Sequence, residues 1–428
     1  MIKKISVNII RIIFAGVFLF SGFVKAIDPL GFTYKMQDYL TAFGGFFEMF
    51  SILAFPMSIF LSALEFWIGF NILFGIYRKQ TTIIAVLFMA MMTPLTLYVA
   101  VFNPVTDCGC FGDALVIGNW TTFYKNIFFS TFAVILFIYR NEMPPVFSKK
   151  TRWFVSAYAF VFIVALSIYC FRNLPIIDFR PYKIGNNILE GMQIPEGAPR
   201  DSFRTVFVYE KDGVQREFEF QGMDVVDIKD GSRTDFTTFA KEWTFVQQNS
   251  KLIRKGYEPP IHNFSITTYE DGDITQDVLT DPNYTFLLIS YKLEKASLRD
   301  SARINRIFDF ACKNGYRFYC LNASLYEDVE DFIQLTGAKF PMAKTDAITL
   351  KTIIRSNPGL VLIKDGTVIN KWHHRNLPVF DKPLAESKLG QIPKPTAVRN
   401  TLIAFSILLV PVIILMLAGV LFCRKKGE

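Results

Sequence analysis

Six stretches of about twenty mostly apolar residues dominate this chain, and they fix its environment before anything else is read. A helix needs roughly 20 such residues to cross about 30 Å of hydrocarbon, where only a helix or a closed barrel satisfies its own backbone polar groups. The stretches run approximately from Ser6 to Ala26, Leu53 to Ile76, Thr81 to Phe102, Trp120 to Tyr139, Trp153 to Phe171 and Thr401 to Phe422. Composition agrees: 51% of the residues are hydrophobic and only 20% charged, against about 25% charged in a soluble domain. The expected fold class is an α-helical membrane bundle of six transmembrane helices in contact with membrane lipid, carrying one folded α/β domain on its longest polar segment.

Basic residues set the expected orientation. Lys3 and Lys4 precede the first span, Arg78 and Lys79 separate the second from the third, Arg140, Lys149, Lys150 and Arg152 the fourth from the fifth, and Arg424, Lys425 and Lys426 follow the last. If every span crosses, these clusters share one side, which the positive-inside rule makes cytoplasmic. The loop from Asn103 to Asn119 has no Lys or Arg. The reading is a multi-pass protein of the inner (cytoplasmic) membrane with both termini cytoplasmic and residues about 172–399 extracytoplasmic. The net charge of +8 is thereby explained by orientation signals, and no nucleic-acid partner is implied. The first span also has signal-peptide features, ending at Val24-Lys25-Ala26, but Arg11 interrupts its apolar run, so it is read as a retained span.

From about Arg172 to Arg399 the composition is that of a soluble domain. Thr205 to Tyr209 and Arg216 to Phe220 flank Lys211-Asp212-Gly213, a hairpin pattern. Phe264 to Ile266 and Asp271-Gly272 suggest a second hairpin, and Tyr284 to Tyr291 an interior strand. Ser297 to Asn314 has helical spacing through Ile304, Ile307, Phe308 and Ala311. A strand at Arg317 to Leu321, a helix at Tyr326 to Leu335, and two strands around Asp365-Gly366 complete a small α/β order with crossover helices.

With Asn357-Pro358-Gly359-Leu360-Val361-Leu362-Ile363-Lys364-Asp365-Gly366, this segment resembles a thioredoxin fold of the TlpA type. The resemblance implies that Pro358 is the cis proline facing the active site, and so a partner-binding position. It also implies a Cys-x-x-Cys after the first central strand, where this chain reads Tyr291-Lys292-Leu293-Glu294-Lys295-Ala296. The domain is therefore expected to bind or dock an extracytoplasmic protein partner rather than to act as an oxidoreductase itself.

The chain has six cysteines. Cys423 lies at the cytoplasmic end of the last span. Cys312 and Cys320 are read either as a structural disulfide or as free buried thiols. The informative pair is Cys108-Gly109-Cys110, in an outer loop. Two cysteines one residue apart close only a very small ring, for which Gly109 supplies the backbone freedom. The strain of such a ring makes its disulfide more easily reduced than a structural bridge, which suits thiol exchange. Cys170, at the outer end of the fifth span, is at a depth to exchange with the pair. A structural staple, a rigid turn and a pair of soft metal ligands are the competing readings. The only histidines, His262, His373 and His374, lie outside the membrane region, so no metal is assigned.

Intramembrane charge is costly and usually paired. Glu65 is expected to pair with Lys125 or Arg11 across the bundle, and Lys125 or Lys25 to favour a thiolate nearby. The run Arg11, Ser21-Gly22, Lys25, Asp28-Pro29-Leu30-Gly31, Ala63-Leu64-Glu65 and Asp107-Cys108-Gly109-Cys110-Phe111-Gly112 resembles the DoxX/MauE group of four-helix membrane proteins over about the first 140 residues. The resemblance implies roles in disulfide formation or in maturation of partners in methylamine utilisation. The expected organisation is a four-helix domain at residues 1–145, a fifth helix and exit linker at 146–180, a small β-rich segment at 181–258, a thioredoxin-like domain at 259–396 and a last helix with a basic tail at 397–428.

Three functions are open at this point. The first is a membrane thiol-disulfide relay using Cys108, Cys110 and Cys170, possible as an oxidoreductase and drawing on a quinone at the bundle if it needs a cofactor. The second is a non-catalytic anchor or assembly factor whose domain binds a partner. The third is a proton-coupled transporter using Glu65.

Overall fold

The computed structural model describes residues 2–424 except Thr106, Lys255, Tyr269 and Pro395. Lys425 and Lys426 of the basic tail lie outside the described residues, as do the side chains of Cys423 and Arg424. Six helices are long and apolar enough to span a membrane, and this is a multi-pass membrane protein.

The first helix, α1 (Ile2–Ile27), ends where Asp28 precedes Pro29, because the residue before a proline is pushed out of the helical region. Asp28 then caps α2 (Pro29–Phe43), its side chain accepting the Gly31 N–H at 3.0 Å. A 3-10 segment, Gly45–Leu53, leads into α3 (Ala54–Phe74). Gly75 closes α3 at φ +64°, bonding back to Asn71 and Ile72. Helices α4 (Arg78–Phe102), α5 (Asn119–Ile138) and α6 (Arg152–Arg172) follow. The amphipathic α2, lying between the first two spans, is an element that hydropathy alone treats as loop.

Close approach of α1 to α3 depends on two glycines. A Cβ on Gly22 would sit 2.5 Å from the Phe66 nitrogen, and one on Gly69 would sit 2.8 Å from the Leu19 nitrogen. Small residues at such a crossing let helix backbones meet in a bilayer, where packing rather than water drives association. Arg11 does not pair with Glu65 as expected. Its guanidinium donates to the Ile72 carbonyl at 2.9 Å and the Leu73 carbonyl at 2.5 Å, neutralising the carbonyl end of α3 where a cation is favoured.

One compact unit spans Leu189–His262 and takes in all but the first residue of α7 (Ile188–Met192). It holds β1 (Ser202–Lys211), β2 (Val214–Gln221), β3 (Asp224–Asp227), β4 (Arg233–Asp235), α8 (Phe236–Glu242) and β5 (Thr244–Arg254), in the order β4-β3-β2-β1-β5. Asp212 and Gly213 turn the expected hairpin with positive φ at both positions. Phe218, Val225 and Phe239 form its core.

The thioredoxin-like domain belongs to the other unit, together with the membrane helices. Its elements are β6 (Thr267–Thr268), β7 (Gly272–Asp273), α9 (Thr275–Leu279), β8 (Tyr284–Ser290), α10 (Ser301–Lys313), β9 (Arg317–Asn322), α11 (Tyr326–Thr336), β10 (Met342–Lys344), α12 (Ala347–Ile353), β11 (Gly359–Lys364) and β12 (Thr367–His373). The sheet order is β12-β11-β8-β9-β10-β6-β7, with β8, β9 and β10 parallel and β11 antiparallel to β8. Every residue of β8 is buried, as a strand covered on both faces requires. Ile304, Ile307 and Ala311 of α10 pack on it with Phe286, Phe318 and Cys320. The final helix is α13 (Ala397–Arg424).

The disulfide reading of Cys312 and Cys320 is not what the structure holds: both are free. Cys320 points into the domain core, where burial pushes its thiol up to about 12. Cys312 is exposed, one position past the core-facing Ala311 of α10.

Candidate functional site

Cys108, Gly109 and Cys110 form a tight turn between α4 and α5, with Gly109 at φ +65°. That conformation is open to glycine and strained for other residues, so it settles why glycine separates the two cysteines. Both thiols are free and buried, their sulfurs 3.1 Å apart. Closing a disulfide at about 2.05 Å requires an approach of only about 1 Å.

The bundle supplies a polar floor beneath this turn. Because α1 and α3 touch at Gly22 and Gly69, Lys25 and Ser21 of α1 reach Glu65 of α3. The Lys25 ammonium donates to both Glu65 oxygens, at 2.7 and 2.8 Å, and both side chains are almost fully buried. The partner of Glu65 is thus Lys25, and neither Lys125 nor Arg11. The sequence names the right charges and pairs them wrongly, since helix rotation and depth are not encoded in hydropathy. Ser21 Oγ lies 2.7 Å from Glu65 Oε2 and 2.8 Å from the Cys110 carbonyl. Its single proton goes to one of them at a time, linking the ion pair to the cysteine turn.

Lys125 of α5 takes a different place. Its ammonium sits 4.3 Å above the Phe111 ring, a cation–π contact, and it lines a cavity of about 40 Å³ together with Cys110, Ser21, Lys25 and Glu65. The Cys110 thiol is lowered, first by the hydrogen bond from Cys108 and, against burial, by the charges of Lys125 and Lys25. Cys108 is raised, by that same hydrogen bond and by burial. The two thiols are thus shifted in opposite directions by their shared hydrogen bond.

The outer side of the turn is held by α2. Tyr39 donates its phenol proton to the Cys108 carbonyl at 3.0 Å. The Lys35 ammonium lies 2.6 Å from Asp107, and Asp107 accepts the Gly109 N–H at 2.9 Å. The aliphatic part of Lys35 lies against Gly109, so this side chain covers the turn.

The thioredoxin-like domain closes the site from the same side. Arg355 is buried between Asp28 at 2.9 Å and Asp113 at 2.7 Å. Burial opposes its charge, but the two carboxylates outweigh it and hold the guanidinium above its ordinary range. Tyr291 stands where the resemblance implies a cysteine motif, and its ring packs edge-on against Tyr34 of α2 at 5.9 Å. Pro358 follows a cis bond, as the resemblance implies, and is buried. The loop carrying it therefore docks on this chain's own membrane domain through Arg355.

Cys170 is buried in an apolar cluster that includes Phe111, Phe23 and Phe66. Among the described residues no hydrogen bond joins it to Cys108 or Cys110, and it does not line their cavity. Tyr39, Lys35, Asp113 and Arg355 are site residues that the sequence did not single out. Asp113 directly follows the motif Asp107-Cys108-Gly109-Cys110-Phe111-Gly112 and could have been found there, whereas nothing near Arg355 in the sequence points to the membrane.

A quinone fits this cavity poorly. The wall chemistry is suitable, with Phe18, Phe88, Met89 and Phe129 beside Lys125 and Asn126. A space of about 40 Å³ suits water, however, and lies far below the roughly 300 Å³ at which small-molecule pockets begin. Among the described residues no group of three or more His, Cys, Asp or Glu side chains could hold a metal ion.

Residues 3–139 match the family model of the methylamine utilisation protein MauE. Among solved structures, the solution structure of a protein disulfide isomerase candidate from Bacteroides thetaiotaomicron is similar at 16% identity and a TM-score of 0.23, covering 27% of this chain and 77% of that one. A search of curated proteins finds no match.

Proposed function

We propose that this chain, a MauE-type membrane region over residues 3–139 joined to a thioredoxin-like domain, is a thiol-disulfide relay of the inner membrane. Its basic loops face the cytoplasm, and the cysteine turn and both folded segments face outward. The observation that carries the reading is the juxtaposition of Cys108 and Cys110 at 3.1 Å above the buried Lys25–Glu65 pair.

The chemistry balances without a further reactant. The Cys110 thiolate attacks one sulfur of a partner disulfide, forming a mixed disulfide and releasing the partner's other sulfur as a thiolate. Cys108 gives its proton to that thiolate, and its sulfur then displaces the partner's remaining sulfur from Cys110. The pair ends as a Cys108–Cys110 disulfide, oxidised by two electrons, and the partner is reduced by two. Run in reverse, the same steps oxidise a partner dithiol, which is the direction of a maturation factor. Lys25 and Lys125 favour the thiolate, and Glu65 holds Lys25 in place.

Two other readings receive less support. An anchor whose domain captures a partner with its cis-proline face would need that face, and Arg355 commits it to the membrane domain. Proton-coupled transport through Glu65 would need a carboxylate free to release its charge, and Lys25 holds both its oxygens.

Acid quenching and alkylation before and after reduction tests the relay. The pair should be recovered in both dithiol and disulfide forms in cells, shifting with added oxidant or reductant. If both thiols stay free under every condition, and either serine variant leaves partner disulfides normal, the relay is wrong. Partner proteins recovered in mixed disulfide with the pair would tell whether methylamine utilisation is the setting.

A further inference from the structure

The thioredoxin-like domain has kept a docking face and holds no cysteine pair on it. Two sets of contacts hold that face against α2 and the cysteine loop. Tyr291, just past β8, packs on Tyr34, and the Lys351 ammonium lies over both rings at 5.5 and 4.8 Å. Arg355, at the end of α12 and three residues before Pro358, reaches Asp28 and Asp113. Asn357 ties the two parts of the face together, donating to the Lys292 carbonyl at 2.8 Å and lying 2.6 Å from Ser290 Oγ.

The two carboxylates that Arg355 binds are not arbitrary. Asp28 caps the start of α2, the helix whose Lys35 and Tyr39 hold Asp107 and the Cys108 carbonyl. Asp113 lies three residues beyond Cys110, in the short 3-10 segment Gly112–Ala114. One planar guanidinium therefore joins the segments on either side of the cysteine turn. A bidentate fork fixes orientation in a way a point charge does not. Arg355 is itself held rigidly, since its Nη1 donates to the Lys351 carbonyl at 2.5 Å. The neighbouring Thr352 and Ile353 carbonyls are bound by Arg180 and Lys371, which share Asp178.

We infer that Arg355 is a positioning residue for the membrane dithiol: the thioredoxin-like domain acts in cis as a clamp that sets the geometry and reactivity of Cys108 and Cys110. This rests on the relay reading for its purpose, but the readout that decides it is the equilibrium of the pair itself. The charged and titratable groups around the pair are Lys25, Glu65 and Lys125 from the bundle and Lys35, Asp107 and Tyr39 from the segments over the turn. Arg355 touches none of the thiols and acts through Asp28 and Asp113.

The experiment uses the full chain in lipid nanodiscs, equilibrated in glutathione redox buffers, with the alkylation rate of the pair followed against pH. Arg355→Met should shift the Cys108–Cys110 equilibrium at least tenfold toward the dithiol, about 30 mV, and move the alkylation midpoint to higher pH. Arg355→Lys restores the charge without the fork and should show a smaller shift in the same direction, at least threefold. The lysine variant also keeps the test available if the methionine variant does not fold. Lower thermal stability with an unchanged equilibrium and an unchanged pH midpoint in both folded variants would overturn the inference. A shifted equilibrium alongside normal partner disulfides in Cys108→Ser cells would instead uphold the clamp and defeat the relay.

Discussion

On the proposed relay reading, the membrane region and the thioredoxin-like domain divide between them what a thiol-exchange protein usually keeps in one place. The membrane region holds two sulfurs in contact over a buried ion pair. The domain holds a cis proline and a docking face, yet its own cysteines are an exposed helix residue and a core residue. Fold and chemistry have been separated, and the docking contact at Arg355 rejoins them. A fold is therefore poor grounds for placing the reaction, while a site is good grounds.

The largest effect should come from exchanging the cysteines of the two regions. Cys108→Ser or Cys110→Ser should abolish partner exchange, a loss of at least 100-fold, read by alkylation of partner thiols. Cys312→Ser should leave the rate within twofold, and a large loss there would return the chemistry to the domain.

Next in size is the ion pair beneath the turn. Glu65→Ala strands Lys25 in the bundle and should cost about 3–5 kcal/mol, as removal of one partner of a buried pair does. The double variant Lys25→Met with Glu65→Leu should recover much of that stability in detergent unfolding while leaving exchange impaired. Recovery of exchange as well would make the pair purely structural.

A smaller change is expected at the helix crossing. A methyl on Gly22 would meet the Phe66 backbone at 2.5 Å, so Gly22→Ala should cost about 1–3 kcal/mol through overpacking. Because α1 must then withdraw from α3, the Lys25–Glu65 pair should loosen and exchange should fall with stability. A control at Gly16, where nothing lies within 4 Å of an added Cβ, should be near neutral.

The smallest effect on exchange belongs to the domain, where only stability at acid pH should change. Burial, with His374 and Arg375 nearby, lowers His373 from 6.5 to about 4. The unfolded chain takes up this proton first, so the contribution of His373 to stability is lost as pH falls from 6.5 toward 4 and then levels off. His373→Gln should flatten that part of the curve, measured by chemical unfolding at each pH.

The legibility of the chain differs between the regions for physical reasons. Six spans are plain because hydrocarbon demands long apolar runs, and the hairpin at Asp212-Gly213 is plain because its turn demands positive φ. From Tyr284 onward β8, α10, β9, α11, β11 and β12 follow from period, whereas the three-residue β10 and the seven-residue α12 are too short to show one. The helix α2 is hidden, since its apolar positions are too few to stand out between two spans. Glu65 is visibly a buried charge, but its partner depends on how α1 and α3 meet at Gly22 and Gly69. Arg355 is hidden most completely, because a long-range docking contact leaves no local pattern at either end.

The central claim, that exchange takes place at the membrane pair, is tested most directly by trapping the mixed disulfide. Cells carrying Cys108→Ser retain the attacking Cys110 without its resolving thiol, and they should accumulate a reducible adduct between Cys110 and a partner protein, identified by mass spectrometry after acid quenching. An adduct absent from this variant but formed through Cys312 or Cys170 would contradict the account.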